Sequence, residues 1–178
     1  EQVDIVAIGV GSYMLQAIPV AILHNRATRH TATGVAVHFT VRSTGLDAQV
    51  VSLGANETLA VAALCTDTCN GASSTTATIA VGSWSTTPHG QLTTSGGGYS
   101  CSGGCGGREY GDVSGTVNGT VAANAIVYIT AACTDGSGNI IGGGSSQTSW
   151  AGGSSMSVDV SVLVSHTPAH CQIYATAV

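Results

Sequence analysis

The sequence predicts an all-β protein made of two β-sandwiches in tandem, and three observations carry that prediction. Apolar residues alternate in short β-branched runs between clusters of Gly, Ser, Asn and Asp, with almost no helical periodicity. Six cysteines, an even set, sit among 25 glycines, as in disulfide-stapled β domains of oxidising compartments. A stretch poor in apolar residues, 86–112, divides the 178 residues into two halves of sandwich size.

The elements follow in order. Residues 5–23 are apolar but interrupted by Gly9, Gly11, Ser12, Gln16 and Pro19. A membrane-spanning helix needs about 20 predominantly apolar residues, so two strands and a turn are expected here. The chain opens Glu1-Gln2-Val3-Asp4, which fits a mature chain whose leader has been removed. In residues 34–41, Val35, Val37, Phe39 and Val41 share one face and Ala36, His38 and Thr40 the other, the signature of a half-buried strand with His38 pointing outward. Residues 59–65 and 77–81 read similarly, as do 126–133, 156–164 and 171–178. Between them, 86–112 reads as a linker. It holds Cys101 and Cys105, so it is expected to be pinned rather than free.

Either side of this break a pattern recurs. Residues 31–40 match 121–130 loosely, and each is followed by a Gly/Asp turn, a polar segment and another strand. The segments 3–7, 20–25, 33–37 and Ser52-Leu53-Gly54-Ala55-Asn56-Glu57-Thr58 resemble the bacterial and archaeal immunoglobulin-like domains of the CARDB kind. The last is similar to that family's Leu-x-x-Gly-x-Thr turn, with Asn56 where Gly is commoner. Ser114-Gly115-Thr116-Val117 and residues 130–142, with the turn Asp135-Gly136-Ser137-Gly138-Asn139, resemble FxLYD-type sandwiches; the Phe-x-Leu-Tyr-Asp motif survives only in degenerate form at 129–135. The resemblance implies two immunoglobulin-like β-sandwiches, 1–85 and 113–178, joined by the disulfide-pinned Gly/Ser-rich linker 86–112. It implies an extracellular setting and carries over no catalytic residue.

Strand phase places Cys133 and Cys171 on the apolar faces of their strands, so a Cys133–Cys171 disulfide is expected, closing a loop of about 40 residues and contributing roughly 3–4 kcal/mol. Cys65/Cys69 and Cys101/Cys105 each enclose three residues and pair most simply with each other, although six cysteines allow 15 connectivities and cross-pairing of Cys69 with the linker stays open. Two C-x3-C pairs would also suit Zn²⁺, but an oxidising compartment favours disulfides. His166 and His170 flank Pro168, a weak ligand pair. Asp135-Gly136-Ser137-Gly138-Asn139 has the oxygen groups of a calcium loop and also the composition of a hairpin turn, and the turn is preferred. No metal or other cofactor is expected.

Charge narrows the function. Four arginines, nine acids and no lysine give a net charge of −5 and only 7% charged residues, against about 25% in an ordinary soluble domain. No basic patch points to nucleic acid, and no segment to membrane insertion. No nucleophile elbow, phosphate loop or H-E-x-x-H motif occurs, so no enzyme is expected. Ser and Thr, glycans or burial in an assembly would each account for the uncharged surface. Asn56 and Asn118 head N-x-T sequons and are candidate glycosylation acceptors. The expected function is a secreted structural protein, a homo-oligomer or polymer in an extracellular filament or cell-surface layer, with the strand 3–10 free to pair with a neighbour's sheet or with its own. The alternative is an adhesin or carbohydrate-binding sandwich using Trp84, Trp150, Tyr99, Tyr110 and Tyr174.

Overall fold

A computed structural model describes residues 1–103 and 109–178. The described residues are all-β, with no helix. The first half contributes β1 (Val3–Tyr13), β2 (Gln16–Asn25), β3 (Thr31–Val41), β4 (Thr44–Leu53), β5 (Thr58–Ala62) and β6 (Thr75–Ser85). The second contributes β7 (Thr93–Gly103), β8 (Glu109–Asn118), β9 (Ile126–Thr134), β10 (Ile140–Ser149), β11 (Ser155–Val164) and β12 (His170–Ala177).

The first half is a sandwich of two three-stranded sheets, β1-β2-β5 against β4-β3-β6. That is the strand order of an immunoglobulin-like sandwich whose last strand, the one that would flank β6, is absent among the described residues. Tight turns join β1 to β2 and β3 to β4, with Met14 and Arg42 in the left-handed region at φ 51° and 56°. The alternation on β3 does what its sequence requires: Val35, Val37, Phe39 and Val41 are fully buried, while Ala36 and His38 are exposed. His38 lies outward, its Nδ1 2.7 Å from an Asp47 carboxylate oxygen.

The second half is one six-stranded sheet, β12-β9-β10-β11-β8-β7, curled until its end strands meet. Thr94 Oγ1 on β7 donates to the Ile173 carbonyl on β12 at 2.6 Å. Val113, Ile129, Trp150, Val160 and Ile173 fill the interior. Residues 121–125, the counterpart of the start of β3 in the sequence repeat, form the turn before β9, so the repeat is not matched strand for strand.

One boundary needs correction. Of the segment 86–112, residues 93–103 are β7 and residues 109–112 begin β8, paired in unbroken antiparallel register with β11. Only 86–92 connects the halves, and it is tied down: His89 Nδ1 lies 3.0 Å from Ser52 Oγ, and its Nε2 3.1 Å from Thr176 Oγ1. Gln91 Nε2 donates to the Ala55 carbonyl at 3.0 Å. Glycine here serves close packing rather than looseness. A Cβ on Gly97 would fall 2.1 Å from the Cys171 carbonyl oxygen, and one on Gly96 2.7 Å from the Gly115 Cα.

The halves are stacked on each other. In β2, Ala21 and Leu23 face β3, while Val20 and Ile22 face the second half, so the sheet β1-β2-β5 is a middle layer covered on both sides. Glycines let the backbones meet: a Cβ on Gly9 would lie 2.1 Å from the Ile140 oxygen, and one on Gly11 2.2 Å from the Leu163 oxygen. Ala132, Ile140 and Tyr174 from the second half complete the core of the first.

Candidate functional site

Where β4 and β5 meet β9, β10 and β12, the stack leaves a cleft of about 370 Å³. Gln49, Ala60, Tyr128, Gln147, Tyr174 and Thr176 are among its walls. Tyr128 is 41% exposed there, whereas Tyr174 packs down into the first core and burial raises its phenol pKa above the usual value. Asp47 at the rim is the carboxylate of the cleft. The lining offers hydrogen-bonding amides and hydroxyls beside an exposed aromatic face, groups that can hold a polar ligand.

The aromatics expected to form a platform do not assemble into one. Trp150 is fully buried in the second core, with Nε1 donating to the Gly153 carbonyl at 3.3 Å. Tyr174 is buried in the cleft wall, and Trp84 packs on the first core. Tyr99 packs on the second core, in a different sheet from Trp84. Tyr110 is exposed and meets Tyr13 edge-on at 5.7 Å, its hydroxyl donating to Gln16 Oε1. Tyr128, which sequence reasoning passed over, is the aromatic that faces the cleft; its alternation with the buried Val127 and Ile129 is the signal that places it outward.

Cys133 and Cys171 face each other on β9 and β12 and form a disulfide, and Cys65–Cys69 forms a second. The pairing of Cys101 with Cys105 falls partly on Cys105, outside the described residues. With Cys65 and Cys69 oxidised, four thiolates for zinc do not exist, and the described residues hold no group of three or more His, Cys, Asp or Glu side chains that would ligate a metal. Asp135 closes its own turn. Oδ1 accepts from the N–H groups of Ser137 and Asn139 at 2.8 and 2.9 Å, and Oδ2 from Asn139 Nδ2 at 3.0 Å. The Asn139 bonds hold this carboxyl below its ordinary range. His170 sits in β12, while His166 lies in the preceding loop beside a second cavity shared with Ser12 and Met14.

Asn56 stands exposed in the β4–β5 turn at φ 55°, its N–H bonded to the Ala27 carbonyl. Asn118 ends β8 between Thr93 and Ser155 and is half-buried. The strand 3–10 lies within β1 and pairs along its length with β2, in its own sheet.

Three of the most exposed large apolar side chains lie near the β1–β2 turn and the Ala17–Cys65 bridge of the first sandwich. Met14 and Leu15, at the β1–β2 turn, are 67% and 52% exposed. Leu64 is 57% exposed beside Cys65, whose backbone bridges Ala17. The Cys65–Cys69 disulfide, with Val10, Ala17, Val41 and Ala72, builds a small separate core under this end.

No protein-family model matches the chain, and no curated protein matches it. A solved structure of a glycosyl hydrolase family 2 member from Bacteroides cellulosilyticus is similar at a TM-score of 0.37 and 9% identity. The alignment covers 94% of this chain and 25% of that one, so the chain spans about a quarter of the length of the protein it matches. A likeness of that degree carries no argument about what this chain does.

Proposed function

We propose that this chain is a secreted structural protein, a self-assembling subunit of an extracellular filament or cell-surface layer. One observation carries the proposal: Met14, Leu15 and Leu64 present an apolar end to solvent on a chain with only four basic and nine acidic side chains to keep it in solution. Apolar groups gathered in this way are covered by association. The two disulfides suit the oxidising compartment this requires.

The β1–β2 turn supplies the test. Met14, the first residue of a two-residue turn, occupies a left-handed conformation that costs a residue with a Cβ about 1–2 kcal/mol, and Gly is the favoured residue at that position. The variant M14G/L15N removes two exposed apolar side chains while relieving the backbone. Sedimentation velocity and negative-stain microscopy of the wild type are expected to show concentration-dependent polymers, which this variant loses while melting no lower. A wild type that stays monomeric at all concentrations overturns the proposal. The second reading, a carbohydrate-binding module, rests on the cleft beside Tyr128. It takes over if the monomer retains a polysaccharide and Tyr128→Ala releases it.

A further inference from the structure

The sheet β4-β3-β6 ends on β6, with no strand among the described residues paired to its outer side. Natural edge strands are guarded by charge, proline, bulges or shortness. β6 has none of these. It runs eleven residues, Thr75-Thr76-Ala77-Thr78-Ile79-Ala80-Val81-Gly82-Ser83-Trp84-Ser85, without a charged side chain or proline, and pairs with β3 without a register shift. The other edge of the same sheet, β4, carries Asp47, and β1 carries Asp4, which is paired with Arg26. The core side chains of β6 are also incompletely covered. Ala77, Ile79 and Val81 are half-buried, whereas their β3 partners Phe39, Val37 and Val35 are fully buried. This is the flank from which the last strand of the sandwich is missing.

From this flank we infer that β6 pairs antiparallel with β6 of a second copy, joining two three-stranded sheets into one of six strands. The inference rests on the self-assembly proposed above and names its first contact. Three quantities favour a second copy as occupant. An eleven-residue edge is about 37 Å long and offers roughly ten hydrogen bonds when paired, as many as a standard interface carries. A flank two sheets deep, about 20 Å, presents roughly 700 Å² per copy, close to the ~800 Å² of a stable complex. Two chains of net charge −5 repel each other, and β6 is an edge where no like charges oppose. The symmetry also fits. A two-fold axis through Ala80 sets Ile79 opposite Val81 of the second copy, twice, and keeps core-facing residues on the core side. Such a contact closes at the dimer, so growth beyond two requires the separate apolar end at Met14 and Leu15.

The test uses Ala80, which is exposed on β6, where surface substitutions ordinarily change stability by about 0.5 kcal/mol or less. In the M14G/L15N background the protein is expected to sediment as a dimer. Adding A80K opposes two lysines on the axis and is expected to raise the dimer Kd about a hundredfold. Independently, A80C alone is expected to give a covalent dimer on mild oxidation, because directly opposed residues lie within disulfide reach. A wild type that polymerises, with A80K assembling as before and A80C failing to cross-link, overturns the β6 pairing and leaves self-assembly standing. A wild type that remains monomeric overturns both.

Discussion

Gly11→Ala is the substitution that asks most directly whether the two halves form one stack. The added Cβ would lie 2.2 Å from the Leu163 carbonyl oxygen and 2.9 Å from both the Gly142 Cα and the Ile141 oxygen. All three are backbone atoms of the second half, and no side chain can swing aside. β1 and β10 must therefore part by about 1 Å in a region packed to crystal density. Overpacking of this kind costs about 1–3 kcal/mol. For a chain of this size that lowers Tm by roughly 2–12 °C. The control is Gly136→Ala, whose Cβ meets nothing within 4 Å and whose φ is not in the left-handed region. Its Tm is expected to stay within about 2 °C of wild type, as for other surface changes. Scanning calorimetry reads the melting, and small-angle scattering the size, about 16 Å in radius of gyration for a compact chain of this length. If Gly11→Ala matches the Gly136→Ala control in both, the halves do not meet at these glycines and the stacking argument fails.

Four further expectations follow from particular side chains. Replacing Cys133 and Cys171 by Ala opens a link spanning 38 residues and is expected to cost about 4 kcal/mol, against about 2 kcal/mol for Cys65 and Cys69, which are four apart; urea unfolding ranks them, and equal losses refute the loop-entropy account. Asn25 is fully buried, with Nδ2 donating to the carbonyls of His30, Leu53 and Gly54 and Oδ1 accepting the Ala27 N–H, so Asn25→Asp, which cannot donate, is expected to lose about 3 kcal/mol or more at neutral pH and to fall below Asn25→Ala in chemical denaturation. Glu57 is raised above its ordinary 4.5, by burial first, against the lowering bond from the Gly54 N–H; its folded form holds the proton more tightly, so its share of stability falls as pH rises through the window above 4.5, and Glu57→Gln removes that slope. His89 is lowered from 6.5 by burial, so stability is lost as pH falls below 6.5, and melting curves of His89→Gln should lack that loss.

Local pattern made some of this legible in the sequence. Strict alternation marked the core face of β3, and the same period put Cys133 and Cys171 on one face, where the register sets them opposite each other. Residues 93–103 were illegible for a physical reason. Their glycines look like flexibility in one dimension, but they lie against Gly115 and Cys171, residues distant in sequence, and composition does not encode that approach. The outer face of the second sheet misled in the same way. Tyr174 and Thr176 look like a solvent-facing pair on the last strand, yet they are buried against the first half. The cleft beside Tyr128 and the open edge of β6 arise from how sheets stack and end, which no run of residues records.

Tyr174 also bears on the order in which the chain is completed. It lies in β12, and together with Ala132 and Ile140 it closes the core of the first sandwich. A chain emerging from its N-terminus therefore exposes Val20, Ile22 and Ala60 until β12 has followed. The first sandwich is not a vectorially folding unit, despite containing six consecutive strands. Cut out alone, it would carry a sticky sheet face. Once β12 docks, it acts as a latch that ends the vulnerable period.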